Sequence, residues 1–193
     1  ETLYMVTVSL VIGALIGIPL GILLVVTRKN GIWSNTILHQ VLNPIINILR
    51  SIPFIILLIA IVPFTKLLVG TSIGTTAAIV PLTVYVAPYI ARLVENSLLE
   101  VDDGIIEAAK AMGASPLQII RYFLLPEALG SLILAITTAI IGLIGSTAMA
   151  GAVGGGGIGD LALVYGYQRF DTIVIVITVI VLIIIVQIIQ TLG

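Results

Sequence analysis

Glu107–Pro126 reads EAAKAMGASPLQIIRYFLLP, and it breaks into an otherwise apolar chain with acids, a Lys, an Arg and a Ser-Pro step. Asp102 and Asp103, just before it, suit a helix N-terminus, where short carboxylates accept from free backbone N–H groups and meet the positive end of the dipole. The helical pattern runs through GIIEAAKAM to Gly113, the residue best able to take a left-handed turn at a helix C-terminus. A second start follows, with Ser115 as N-cap, Pro116 at the first helical position and Gln118 where a capping box wants Glu or Gln. This second helix is predicted to run to about Leu124 and to be stopped by Pro126. Each piece has about nine residues, too short to cross a bilayer and marginal alone in water. Ile105, Ile106, Ala109 and Met112, then Leu117, Ile120 and Leu124, recur at helical spacing. Two short amphipathic helices at a tight turn need something to pack against.

The rest of the chain explains where that turn sits. Of 193 residues, 60% are hydrophobic and 9% charged, with a mean hydropathy of +1.30. Soluble domains carry about 25% charged residues, so this inventory belongs in a bilayer. A spanning helix needs about 20 mostly apolar residues, and five stretches qualify: about 2–27, 44–63, 72–91, 129–150 and 172–192. The first begins without a basic n-region or a small-residue cleavage signal, so it reads as a membrane helix and not a signal peptide. The expected fold is all-α: one five-span membrane domain over 1–193, with the short helical pair in a loop at about 100–126. Arg28, Lys29, Arg92, Lys110 and Arg121, with Arg50 near the edge, fall on one side, against Lys66 and Arg169 on the other. The positive-inside rule then makes the loop cytoplasmic, with the N-terminus outside and the C-terminus in the cytoplasm.

Glycines divide into packing and chemistry. Gly13, Gly17 and Gly21 recur every fourth residue, a ridge that lets a neighbouring helix backbone come close. Gly154, Gly156 and Gly159 have G-x-G-x-x-G spacing, yet they follow a membrane span and not a strand, so a connector or a broken helix lining a cavity is expected there. No G-x-x-x-x-G-K-[ST] is present, so the chain has no phosphate-binding loop of that type. With no Cys and one His (His39) it offers no thiolate or paired-histidine metal site. An intramembrane enzyme would need paired ionisable groups within spans, and only Arg50 falls inside one.

The helical pair itself has two readings. A DNA-binding helix-turn-helix fits in shape, but Asp102, Asp103, Glu107 and Glu127 would repel phosphates and only Lys110 and Arg121 would attract them. The other is a protein-docking knob, with Ala108 and Ala109 keeping one face small and Glu107 offering a carboxylate to a basic partner. Glu107-Ala108-Ala109, Gly113 and Leu125-Pro126, at these spacings and with Phe123 where Ile is usual, resemble the EAA loop of ABC-importer permeases. RSIPFIILLIAIVPFTKLLVG, AAIVPLTVYVAPYIARLVENSLLEV and TAMAGAVGGGGIGDLALVYGYQRFD extend the likeness over essentially the whole chain, to the permeases of methionine importers.

That resemblance implies a type I importer permease of the bacterial inner membrane, with no catalysis of its own. It implies a homodimer, two cytoplasmic ATP-binding subunits that hold ATP and Mg, and an extracellular or periplasmic methionine-binding lipoprotein. Glu107, Ala108, Ala109, Lys110, Met112, Gly113, Ser115 and Pro116 would then dock the ATPases. ATP binding would draw the two loops together and tilt the spans, and hydrolysis would reverse this. The transported solute would be L-methionine, with D-methionine and other small solutes left open. Met149 has small neighbours, and its thioether either fills a packing gap or gates a path, with Ser146 and Thr147 offering hydroxyls. The resemblance places this stretch beside the path. Arg50 either snorkels to the headgroups or bonds helix-terminal carbonyls. Pro19, Pro53, Pro81 and Pro88 free carbonyls within spans and are candidate hinges.

Overall fold

A run of Leu, Ile, Val and Ala surrounded by lipid can satisfy its backbone within its own segment only as a helix. The computed structural model, which describes residues 1–193, is accordingly all-helical. In chain order it comprises α1 (Thr2–Thr27), α2 (Thr36–Ser51), α3 (Phe54–Ala60), α4 (Val62–Val69), α5 (Thr75–Leu99), α6 (Asp103–Ala111) and α7 (Pro116–Ile119). A π-helical stretch, Ile120–Leu124, leads into α8 (Leu125–Glu127) and α9 (Leu129–Ala150). A 3-10 turn at Gly151–Val153 precedes α10 (Gly157–Asp160), and a second π-helical stretch at Leu161–Tyr167 precedes α11 (Thr172–Leu192).

The glycine ridge of α1 lies on α5. A Cβ added to Gly13 would sit 2.3 Å from Val86 Cγ1, one on Gly17 2.5 Å from the Ala87 carbonyl oxygen, and one on Gly21 2.6 Å from that of Ala91. Successive glycines meet successive turns, so α1 and α5 run parallel, and α2–α4 carry the chain back between them. Met5, Leu82, Val86, Ile90 and Leu143 fill the seam between α1, α5 and α9 with no exposed surface, and Leu98 is 2% exposed.

Two ends of the bundle follow from the contacts. The Asn35 N–H donates to the Thr27 carbonyl at 3.0 Å and Arg28 lies 3.7 Å from Asp103, so the end of α1, the start of α2 and α6 share one end. At the other end, Glu1 Oε2 accepts from the Gly157 N–H at 2.8 Å and Thr2 Oγ1 from the Ile158 N–H at 2.9 Å.

The second expected span, 44–63, differs from the structure. Helix starts earlier, at Thr36, and the chain turns by 100° between α2 and α3. Ile52 precedes Pro53, whose ring disfavours a helical residue before it, and Ile52 is extended at φ −79°, ψ 121°. Four helices, α1, α5, α9 and α11, are long and apolar enough to cross alone, and α2 with α3 would make a broken fifth crossing. The third expected span, 72–91, runs on to Leu99, so Arg92 belongs to α5 and not to a loop. Pro126 does not stop the helix after α7, because it sits in the first turn of α8, where its missing N–H costs nothing.

Candidate functional site

The turn between α6 and α7 is fixed by a series of local bonds. Asp102 Oδ1 caps α6 by accepting from the Gly104 N–H at 2.7 Å. At the other end Gly113 is left-handed, with φ +79°. Its N–H donates to the Lys110 carbonyl at 2.9 Å, and the Ala114 N–H donates to the Ala109 carbonyl at 3.1 Å. These two bonds are the Schellman pair that absorbs the last carbonyls of a helix. The Ser115 N–H donates to Gln118 Oε1 at 2.8 Å, so α7 begins with its first donor satisfied.

This rigid turn divides the residues named from sequence. Ala109 is fully buried by its own chain, as is Leu124, and Ile119 nearly so. Glu107, Ala108, Lys110, Gly113, Ser115 and Pro116 are exposed. Met112 is 69% exposed and Leu117, on the far side of the turn, 73%. Ala109 therefore seats the helix, while Met112 and Leu117 form an apolar tip between charged neighbours. Leu117 was not among the docking residues read from sequence. Two large apolar side chains left in water on an otherwise polar turn are the feature of this loop that its own packing does not account for.

The second group lies at the opposite end of α9. Ser146 and Thr147 are buried, and their hydroxyls are turned back on their own helix: Ser146 Oγ donates to the Gly142 carbonyl at 3.0 Å and Thr147 Oγ1 to that of Ile144 at 2.7 Å. Met149, at the same end, is 49% exposed. Of the glycines that follow, Gly154, Gly156 and Gly157 hold positive φ, and Gly159 serves packing. A Cβ on Gly159 would lie 2.4 Å from Ala148 Cα, so α10 folds tightly against the end of α9.

A third group went unread in the sequence. Arg92 on α5 donates to Glu95 Oε2 one turn on, and its other terminal nitrogen donates to Asn43 Oδ1 at 2.7 Å and Asn47 Oδ1 at 2.5 Å on α2. Glu95 is 7% exposed. The legible signal was the recurrence of Thr36, Gln40, Asn43, Asn47 and Ser51 at helical spacing, hidden by starting the span at Pro44. Arg50 sits in the last turn of α2, exposed and beside the bend, away from the loop end. His39 Nδ1–H donates to the Leu24 carbonyl at 3.1 Å and pins α2 to α1. No group of three His, Asp or Glu side chains is placed to hold a metal.

Known proteins match this arrangement closely. Residues 17–192 match the family described as binding-protein-dependent transport system inner membrane component. A probable D-methionine transport system permease protein, MetI, of Vibrio cholerae is 52% identical over 193 residues, covering 100% of this chain and 86% of that protein. The D-methionine transport system permease protein MetI of Escherichia coli K12 is 57% identical over 151 residues, 78% of this chain and 70% of that protein. Among solved structures, a chain of the MetNI methionine ABC transporter in an inward-facing conformation superposes with a TM-score of 0.97 at 53% identity, covering 100% of this chain and 89% of that one. A chain of an amino acid ABC transporter crystallised with histidines shares the fold, with a TM-score of 0.80 at 19% identity, over 99% of this chain and 86% of that one. With the family matched over nearly its full length and relatives above half identity, the chain belongs to the inner-membrane permease components of binding-protein-dependent transport systems.

Proposed function

We propose that this chain forms, as a homodimer, the membrane path of an ATP-driven methionine importer, and that its α6–α7 turn is the handle by which two ATP-binding subunits move it. The observation that carries the reading is the tip itself. Met112 and Leu117 stand exposed on a turn closed by its own backbone bonds at Gly113 and Ala114, so force applied there would pass to α5 and α9 and not be lost in a flexible loop. ATP and Mg would be held by the partner, and a methionine-binding lipoprotein would deliver solute at the opposite end, beside Met149. The likeness to an inward-facing transporter chain supports a path open at the loop end in the arrangement described. The loop end would face the cytoplasm, with the N-terminus outside.

In this reading the mechanism needs no bond chemistry from the permease. Closing the two ATPases draws two tips together. The parallel α1–α5 pair, locked by glycine contacts, moves as one body, and the path opens at the Met149 end. Hydrolysis releases the tips and reverses the motion.

The test is uptake of radiolabelled L- and D-methionine by proteoliposomes holding this chain and its ATPase, with Met112→Asp and Leu117→Asp as variants. Uptake that requires ATP, and loss of both ATPase co-purification and uptake in the variants, is the expected result. ATP-driven uptake of a different amino acid with none of methionine would overturn the substrate. Full ATPase binding by both variants would overturn the handle.

A further inference from the structure

The polar face of α2 has no place in a lipid-facing helix. Thr36, Gln40, Asn43, Asn47 and Ser51 fall on one stripe at spacings of three and four residues, while Ile37, Val41 and Ile48 hold the neighbouring face and are 77%, 52% and 63% exposed. Leu42 and Ile46 pack the third face against Leu24 of α1 and Ala91 of α5. The apolar exposed face suits acyl chains. The polar one, with Gln40 and Asn47 exposed, does not, since hydrocarbon offers an amide no hydrogen-bond partner.

Arg92 decides which way these amides point. A guanidinium only donates, so both asparagine oxygens face it, and Asn47 Nδ2 uses one of its two N–H groups to donate to Asn43 Oδ1 at 3.5 Å. Arg92 is itself neutralised by Glu95, the buried acid beside it. The polar surface left outside the cluster is therefore uncharged, with the remaining amide N–H groups of Asn43 and Asn47 as its donors and no unpaired cation behind it. A bare cation would hold a carboxylate more tightly, whereas neutral amides offer single, modest hydrogen bonds that release it readily.

We propose that this stripe is the wall of a water-filled half-path opening at the loop end, and that Asn43 and Asn47, held by Arg92, are a weak stopping point for the carboxylate of a zwitterionic amino acid. Arg92 is a positioning residue here, since it reaches the solute only through the asparagines. The inference rests on the permease reading above and adds to it a named wall and a named solute group.

The chain contains no cysteine, so single cysteines report cleanly. They are placed at Gln40 and Asn47 on the polar face and at Ile37 and Ile48 on the apolar face. Each is combined with a cysteine-free ATPase in vesicles with the loop end outward, and treated with a charged, membrane-impermeant methanethiosulfonate. The expected result is that Gln40→Cys and Asn47→Cys react about tenfold faster than Ile37→Cys and Ile48→Cys, with millimolar methionine slowing the reaction at Asn47→Cys. A transport arm compares Asn47→Leu with Asn47→Gln: uptake falls about tenfold in the first, the loss of one well-placed hydrogen bond, and recovers in the second. Equal labelling of both faces overturns the wall. Rapid disulfide formation between two Asn47→Cys copies overturns it too, by assigning the face to the dimer contact. Unchanged uptake by Asn47→Leu overturns the stopping point. In each case ATPase co-purification and ATP-driven uptake by the unlabelled complex show separately whether the permease reading stands.

Discussion

Gly17 lies so close to α5 that a Cβ built on it would sit 2.5 Å from the Ala87 carbonyl oxygen and 2.9 Å from Ile90 Cβ. One of those neighbours is backbone, so neither a rotamer change nor a small side-chain shift can make room. Gly17→Ala should push the parallel pair apart, at about 1–3 kcal/mol for overpacking. Gly130, with nothing within 4 Å of an added Cβ, is the control. Thermal unfolding in detergent should show a lower Tm for Gly17→Ala and an equal or higher Tm for Gly130→Ala. Equal Tm values for Gly17→Ala and the parent would mean that the α1–α5 contact is looser than this spacing.

The turn separates two adjacent alanines. Ala109 is fully buried and Ala108 exposed. Ala109→Asp places an unpaired charge inside the loop's own packing, at several kcal/mol, and should melt the turn locally. Ala108→Asp should leave the turn intact and weaken the ATPase contact alone. Gly113→Val, at φ +79°, costs about 1–2 kcal/mol, and Gly113→Asn should be tolerated because Asn enters the left-handed region readily. Co-purification measures the contact, and limited proteolysis within 100–126 measures the fold. Cleavage should rise in Ala109→Asp and Gly113→Val, and stay at the parent level in Ala108→Asp and Gly113→Asn.

Much of this was legible in the residues. Asp102, Gly113, Ser115 and Gln118 are local signals whose bonds are made within a few positions, so the turn could be placed from sequence. The Gly13–Gly17–Gly21 ridge announced a close contact but not its partner, because nothing in α1 says that α5 returns parallel to it. Pro53 stood out as a candidate hinge, but the size of the turn there, 100°, was not legible, because apolar residues on both sides read as one span and hydropathy is blind to direction. The Arg92 cluster was missed for the same reason. Counting Arg92 as a loop charge ended the helix at Ala91, and only the fold brings Asn43 and Asn47 within reach of it. With Arg92 in α5 and Arg50 at the α2 bend, the basic residues at the loop end reduce to Arg28, Lys29, Lys110 and Arg121, against Lys66 and Arg169.

Ser146, Thr147 and Met149 make a graded test of the Met149 end. Both hydroxyls already bond carbonyls of their own helix. Ser146→Ala should therefore change methionine uptake little, and any loss would come from packing. Met149 is half exposed, so Met149→Ala removes little buried surface and should assemble normally. The expected defect is in coupling. In proteoliposomes the ratio of solute moved to ATP hydrolysed should fall for Met149→Ala and hold for Ser146→Ala. A fall in Ser146→Ala alone would move the gate from the thioether to the hydroxyl.

Which end faces the cytoplasm is the last expectation, and it rests on the four basic residues at the loop end against two at the other. Lys66 is exposed near the end of α4, and Arg169 stands over the Tyr165 ring at 4.5 Å in the approach to α11. Both lie at the end where Thr2 meets Ile158. Lys110 is exposed on α6, at the opposite end. Single cysteines at these three sites need no background correction in a cysteine-free chain. An impermeant maleimide added to sealed cells should label Lys66→Cys and Arg169→Cys, and should label Lys110→Cys only after the membrane is opened. Labelling of Lys110→Cys in sealed cells, with protection at the other two, would invert the permease and put its ATPase handle on the wrong side of the membrane for any cytoplasmic ATPase.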